Sequence, residues 1–379
     1  MAAKTKKNGG MSVSWERKGS YPVLFADDVF AEGNPAFADL LKELTGSDAP
    51  RVLMVADGNV VQRTEGLGTR IGRYVQTYGI RLAAPPVVLG GGEKLKTDNL
   101  QSVLKIATAA LDAKVGANDV VLALGGGTIL DVAGYAACQV RGGVKLVRMP
   151  TTVAAMMDAA FAEEAAVDSP AVKDALRVPC PPAAVVVDPK FAATVLDGVW
   201  RGGIGEAVRQ AAVSDGALMR RLVKSAEALK SRDMAVMAEV IQACVESRVK
   251  KGGSDFALWS AHRLEAMSGY KLPHGYAVPI GICIDCAYAV ERNLMKEEDQ
   301  ETVCRVLADC GALDGLAHSH HLMSQPDSIL FGLDAWRLST GREEILLPAG
   351  VGKSTREASP DREAFKKVIK EFREVSTEG

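Results

Sequence analysis

The sequence predicts an α/β chain that closes in a helical half, and three observations carry that expectation. Short apolar runs ending in Gly, Asp or Thr recur through the first half, helical periods separate them, and after Asp188 only helical periods continue. Val/Leu/Ala runs without alternation are what parallel strands look like when helices cover both faces. The expected organisation is a disordered tail over 1–18, a parallel-sheet α/β domain over 19–188 and an all-helical domain over 189–379.

The elements follow in order. MAAKTKKNGG is small, basic and Gly-ended, which predicts a frayed tail. RVLMVADG, PPVVLGGG, DVVLALGGG, VKLVRMPTT and AAVVVDP are the expected strands. TDNLQSVLKIATAALDAKVG between two of them has apolar residues at three- and four-residue steps and a Gly at its stop, the mark of an amphipathic helix. GIGEAVRQAAVSDGALMRRLVKSAEALK and ETVCRVLADCGALDGLAHSHHLMS keep the helical period without β-branched runs. EILLPAGVGK predicts a short strand pair, and DREAFKKVIKEFREV a closing helix.

Composition excludes several classes of function. Of 379 residues, 45 are basic and 47 acidic, a formal net charge of -2, so no global field draws nucleic acid or an anionic membrane. An apolar share of 47% is that of a folded chain. No apolar run reaches ~18 residues, so no membrane-spanning helix is expected. Seven cysteines without a secretory segment predict a reducing, cytoplasmic setting, with Cys283 and Cys286 as buried thiols.

LALGGGTILDVAGYAA is the strongest local signal. A strand runs into Gly125, Gly126 and Gly127, and a helix follows carrying Asp131. Glycines let backbone approach a pyrophosphate, and the helix N-terminus offers free N–H groups with partial positive charge. Asp57 and Asn59 end another strand, Glu93 and Lys96 follow a third, and Thr151 and Thr152 end a fourth. In an open parallel sheet those carboxyl ends share one crevice, so the polar turns predict one ligand pocket.

The succession G-G-E-x-x-K, A-x-G-G-G-x-x-x-D-x-x-G-Y-x-A-A, R-G, P-T-T, V-V-V-D, R-x-G-I-x-E-A-V and H-G-x-A-V-x-I-G resembles the dehydroquinate synthase family of sugar phosphate cyclases over roughly residues 20–300. DDVFAEGNPAF, W-S-A-H-R-L-E and FGLDAWRLSTGREEILLPAGVGK resemble its EboD-like branch. The resemblance implies an NAD-binding α/β domain, a helical domain, an active site between them, and a dimer. It implies NAD contacts from Asp57, Asn59, Glu93, Lys96, Gly125, Gly126, Gly127, Asp131, Thr151 and Thr152. It also implies a sugar phosphate substrate, transiently oxidised so that phosphate is eliminated before an aldol ring closure, with a divalent metal, zinc or cobalt, polarising the oxidised oxygen.

Carried over residue by residue, Glu206 and His274 match metal ligands, but Leu258 stands where the third ligand, a histidine, belongs. His262 matches the histidine one turn on and is the candidate replacement ligand. Arg141 and Lys173 match phosphate-binding positions, and Lys173, Arg209 and His262 are the expected catalytic groups. Other positions depart: Glu164 stands for a lysine, Asp168 and Asp174 for asparagines, Arg209 for a lysine and Tyr276 for a glutamate. A carboxylate for an ammonium beside a phosphate reverses an interaction worth roughly 4 kcal/mol at ~4 Å and an effective dielectric of 20. His318, His320 and His321 have poor spacing for one tetrahedral site and read as a solvated helix end.

The leading expectation is therefore an NAD-using sugar phosphate cyclase with an altered substrate site, as a homodimer or paired with an active paralogue. The rivals are a catalytically inactive binding or partner subunit, and an NAD-dependent polyol dehydrogenase of the same fold.

Overall fold

The computed structural model describes residues 2–5, 11–14, 19–169, 172–314, 316 and 319–375. Within 1–18, where a disordered tail is expected, β1 (Ala2–Thr5) pairs antiparallel with β2 (Met11–Ser14). The remaining positions of that segment lie outside the described residues.

A parallel sheet follows. β3 (Val23–Phe25), β4 (Arg51–Asp57), β5 (Arg81–Leu82), β6 (Val87–Leu89), β7 (Val120–Gly125), β8 (Lys145–Pro150) and β11 (Ala184–Val187) lie in the order β3-β11-β8-β7-β4-β5, with β6 also on β4. The five expected runs are β4, β6, β7, β8 and β11, and their residues are almost wholly buried in the central strands. β3 and β5 are edge pieces of three and two residues, too short to leave a periodic signal. A separate antiparallel pair, β9 (Glu164–Val167) with β10 (Leu176–Pro179), was not expected from the sequence.

Six helices cover the sheet domain: α1 (Ala36–Thr45), α2 (Gly58–Arg63), α3 (Leu67–Thr77), α4 (Gln101–Asp112), α5 (Gly127–Gln139) and α6 (Val153–Met157). The turn to the helical half is made at Asp188, 2% exposed, whose carboxylate accepts from Val29 N at 2.8 Å and Lys190 N at 3.0 Å. Then come α7 (Asp197–Ser214), α8 (Gly216–Lys230), α9 (Met234–Lys251), α10 (Leu258–Met267), α11 (His274–Glu291), α12 (Glu297–Asp309), α13 (His320–Met323), α14 (Pro326–Thr340) and α15 (Arg362–Val375). Asp215 and Asp233 cap α8 and α9 by accepting from the first free N–H groups. EILLPAGVGK, expected to hold a strand pair, supplies only the first strand, β12 (Glu344–Pro348); its partner β13 (Ser354–Ala358) begins just after that stretch. Among the described residues, no helix is long and apolar enough to cross a membrane.

Two glycines on α11 decide where the helical half meets itself. A Cβ on Gly275 would fall 2.6 Å from Gly202 Cα of α7, and the reverse contact is the same, so the two backbones touch there. A Cβ on Gly281 would lie 2.7 Å from the Ala257 carbonyl at the start of α10. α11 is thus wedged between α7 and α10, with its first residue, His274, set between them.

The fold also closes a disulfide that sequence spacing does not indicate. Cys138, at the end of α5, is bonded to Cys180, beyond β10, with Cα atoms 6.1 Å apart. Cys283 and Cys286 are buried thiols on α11.

Candidate active site

The first part of the site is the crevice at the carboxyl ends of β4, β7 and β8. Asp57 caps α2, accepting from Asn59 N at 2.8 Å. A Cβ on Gly91 would lie 2.5–2.8 Å from Asn59 Nδ2 and the Asp57 carboxylate, so only glycine lets that loop cross them. At the β7–α5 turn a Cβ on Gly125 would strike Ile129 at 2.6 Å, and one on Gly126 would press on Thr152 at 3.1 Å. Gly126 is the N-cap of α5 without any side-chain cap, which leaves the first N–H groups of that helix facing the crevice. Thr151 is fully buried and its Oγ1 has no hydrogen-bond partner. Free helix N–H groups, a cradle that a Cβ would fill and an orphaned hydroxyl together fit a bound dinucleotide.

Lys96 stands apart from the other residues expected there. Its ammonium lies 2.9 Å from Asp131, 2.6 Å from Asp174 and 3.4 Å from Asp168, with the side chain 4% exposed. Burial works against that charge, but the three carboxylates outweigh it and hold the ammonium well above its ordinary range. Lys96 therefore ties the loop after β6 to the loop between β9 and β10, and its donors are spent on the protein.

The second part lies between α7, α10 and α11. Glu206 is on the face of α7 one turn after Gly202, His262 and Glu265 share a face of α10, and His274 opens α11. Asp285 of α11 anchors the start of α10, accepting from Ala257 N at 3.2 Å and Trp259 Nε1 at 3.0 Å. His274 bridges two carboxylates: Nδ1 is 2.7 Å from Glu265 Oε1 and Nε2 is 3.2 Å from Glu206 Oε1. The other oxygen of Glu206 accepts from Arg209 Nε at 2.8 Å and Nη2 at 2.7 Å. Arg209 also meets Asp158 at 2.9 Å, and Arg248 pairs with the same Asp158. The other oxygen of Glu265 accepts from Lys173 Nζ at 2.7 Å, and Lys173 reaches Glu93 at 3.1 Å. Glu93 accepts from Thr128 at the start of α5 at 3.3 Å.

An alternating chain of acids and bases, Asp158–Arg209–Glu206–His274–Glu265–Lys173–Glu93, so runs from the helical half to the glycine turn. Its ionisation follows from burial and neighbours. Burial alone would raise the Glu206 carboxyl, but Arg209 and His274 bring it down to about 2. Burial would lower His274, but Glu265 and then Glu206 push it up to about 10. Glu265 is held well below the carboxylate range by Lys173 and His274 against its own burial. At His262 burial outweighs the pull of Asp174 and Glu265 and pushes the ring down to about 4, so it is a neutral imidazole at neutral pH.

These shifts fix a pH profile. Glu206, depressed from 4.5 to about 2, contributes stability that is complete above about pH 4.5 and lost as pH falls through about 2. His274, raised from 6.5 to about 10, contributes fully below about pH 6.5 and loses it as pH rises through about 10. Asp168, raised by burial from 3.8 to about 6, favours the folded state below 3.8 and loses that as pH rises through about 6, tilting the optimum to the acid side. Stability is expected to be greatest between about pH 4.5 and 6.5. Urea midpoints across the pH range check this, and Glu206→Gln is expected to flatten the acid limb.

Among the residues expected at the site, Glu206, His274, Lys173, Arg209 and His262 are brought together. Arg141 is not: it is exposed, on the turn after α5, with a left-handed φ of 51°. That is the far end of α5 from Gly127, roughly 20 Å along the axis. Glu164 lies on β9, half exposed and 3.5 Å from Arg177. Leu258 is partly buried on the first turn of α10 and carries no donor atom. His320 and His321 open α13, and His318 lies outside the described residues. Sequence reasoning missed Glu265, Asp158 and Arg248. The available signal for Glu265 was its place three residues after His262, one turn along the same helical face.

A cleft beside His262 is lined by Lys173, Arg177, Trp259, Arg263 and Trp336 among others. It meets the chain of charges at Lys173.

Comparison with known proteins gives a consistent picture. The family model described as 3-dehydroquinate synthase N-terminal matches residues 86–201, and that described as 3-dehydroquinate synthase C-terminal matches residues 203–318. A 3-dehydroquinate synthase of Shewanella halifaxensis is 28% identical over 366 residues, covering 92% of this chain and 96% of that protein. Among solved structures, 2-epi-5-epi-valiolone synthase from Streptomyces hygroscopicus subsp. jinggangensis, with NAD+ and Zn2+ bound, superposes with a TM-score of 0.82 at 23% identity, covering 96% of this chain and 99% of that one. A 2-deoxy-scyllo-inosose synthase complexed with carbaglucose-6-phosphate, NAD+ and Co2+ superposes with a TM-score of 0.74 at 20% identity, covering 92% and 96%.

Proposed function

The chain belongs to the dehydroquinate synthase-like family of sugar phosphate cyclases, and from that premise we propose that it is an NAD-using cyclase acting on a sugar phosphate whose charge pattern differs from that of the substrate that 3-dehydroquinate synthases turn over. The observation that carries this reading is the β7–α5 turn. Glycines with no room for a Cβ, a helix N-terminus with free N–H groups and the orphaned Thr151 hydroxyl lie at one end of the Asp158–Glu93 charge chain.

Gly126, Gly127 and the first turn of α5 would hold the pyrophosphate, with Asp57 accepting from ribose hydroxyls. A bound nicotinamide supplies a hydride acceptor that returns the hydride within one turnover, which permits phosphate elimination and aldol ring closure. The chain's own groups then divide the remaining work. Neutral His262 accepts a proton at an imidazole nitrogen on the cleft wall, and Lys173 orients Glu265, which fixes the His274 ring. Asp168 and Asp174, which stand where the family pattern has amides, are drawn onto Lys96, so two amide donors are missing from the substrate side at that end. The neighbours that carry NAD+ in their solved structures support the cofactor.

Calorimetry with NAD tests the reading. Micromolar to millimolar affinity is expected, and Gly126→Val is expected to weaken it at least about tenfold, because the added side chain fills the cradle. Sugar phosphates are then screened for phosphate release without accumulation of NADH. Net NADH from a simple polyol would favour the dehydrogenase reading instead, absence of NAD binding would overturn the cyclase reading, and phosphate release abolished by a change at Glu206 would rule out an inactive binding or partner subunit.

A further inference from the structure

We infer that the centre built on Glu206 and His274 is closed by the protein's own cations and takes no catalytic metal, with Arg209 occupying the charge-compensating place on Glu206 that a divalent ion would take.

Ligand count is the first argument. A catalytic zinc takes three protein ligands and keeps an open position for water. Here Glu206 Oε1 and His274 Nε2, 3.2 Å apart, have the span of one edge of such a site, since two atoms bonded at ~2.0–2.1 Å sit roughly 3.3 Å apart. Among the described residues no third donor completes it, and Leu258 contributes only carbon. One edge does not hold an ion.

The second argument is that every acid at this centre already has its cation. Glu206 Oε2 is occupied twice by a guanidinium that is itself locked by Asp158 and the Ser254 carbonyl, with its side chain 3% exposed. Unlike the lysine expected at this position, a guanidinium binds as a planar fork and does not deprotonate. An incoming divalent ion would stand against a fixed, permanent positive charge.

The alternative set also fails on geometry. Donor atoms of His262, Glu265 and His274 lie within 4.8 Å of one another, which makes them the natural candidates for a rebuilt site. Within that set, His274 Nδ1 and Glu265 Oε1 are 2.7 Å apart, a hydrogen bond and shorter than a zinc edge. Glu265 Oε2 has the Lys173 ammonium at 2.7 Å, so an ion on this carboxylate would again face a buried cation. The relation of carboxylate to imidazole is the one that orients a ring, and it is retained here without the ion it commonly serves.

The inference concerns ligands and charge, so it stands or falls separately from the NAD reading. The full chain is incubated with zinc chloride or cobalt chloride, desalted, and its metal quantified by plasma mass spectrometry. Thermal unfolding and NAD calorimetry are run with and without EDTA. Sub-stoichiometric metal is expected, with unfolding midpoint and NAD affinity unchanged by the chelator. The double variant Leu258→His with Arg209→Lys restores a third donor and removes the fork, and is expected to take up cobalt stoichiometrically with visible d–d absorption. Stoichiometric metal in the unaltered chain that disappears in the isosteric Glu206→Gln variant would overturn the inference. Metal that persists in both Glu206→Gln and His274→Asn lies outside this centre and upholds it.

Discussion

Gly202→Ala is expected to lower the unfolding free energy by about 3 kcal/mol, the upper end of what one added methyl costs in a packed core. The methyl would lie 2.6 Å from Gly275 Cα and 2.9 Å from its carbonyl carbon, and both are backbone, so no rotamer change relieves the contact. α7 and α11 must separate, and that motion draws Glu206 away from His274, whose 3.2 Å contact lies one turn further along. The expected result is a midpoint several degrees lower, together with loss of the alkaline limb that His274 contributes. The comparison that isolates the cause is Gly72→Ala. Gly72 is exposed within α3 and a Cβ there meets nothing within 4 Å, so alanine is expected to stabilise by ~0.5–1 kcal/mol through helix propensity. Opposite signs for the same substitution on two helices would establish that the α7–α11 crossing, not glycine content, sets the geometry of the site. A loss below about 1 kcal/mol at Gly202 would mean that the helices slide freely there.

Glu265→Ala is expected to cost still more, about 3–5 kcal/mol, the range for breaking a buried ion pair from one side. Glu265 is fully buried, and its removal leaves the Lys173 ammonium with Glu93 alone and frees His274 Nδ1. Glu265→Gln keeps the shape and an acceptor for Lys173, so it is expected to recover a large part of that loss while no longer holding an imidazolium. The two variants compared by urea denaturation separate the volume of the side chain from its charge. Equal losses in both would show that charge, not packing, is what the site needs. A loss under about 1 kcal/mol in either would remove the acid–base chain as a stabilising unit.

The legible part of this protein lies where chemistry is local. The runs that became β4, β6, β7, β8 and β11 announce themselves because a strand buried on both faces is apolar at nearly every position, the fully buried Arg148 of β8 being an exception. Gly125–Gly127 and the Thr151–Thr152 pair are readable for a similar reason, since a strand-to-helix turn packed this closely on Ile129 and Thr152 constrains residue type within a few positions. Glu206 and His274, which meet in the structure, were legible through their motifs, and Leu258 as a position without a donor atom. The edge strands, the β9–β10 pair and the Cys138–Cys180 bond were not, because each depends on what lies opposite it in space.

Sequence by itself determined the α/β-then-α order, the glycine crevice and a side chain without a donor atom at position 258. The tertiary structure alone decided what surrounds the nearby carboxylates. Gly202 against Gly275 and Gly281 against Ala257 bring three helices close enough for Glu206, His274 and Glu265 to form one chain. Only that approach shows Arg209 and Lys173 spent on the same carboxylates, and Arg141 left at the far end of α5. Charge-assisted hydrogen bonds form only at contact distance, so whether a charge is free for a ligand or already neutralised is a property of the packed molecule and leaves no mark in the order of residues.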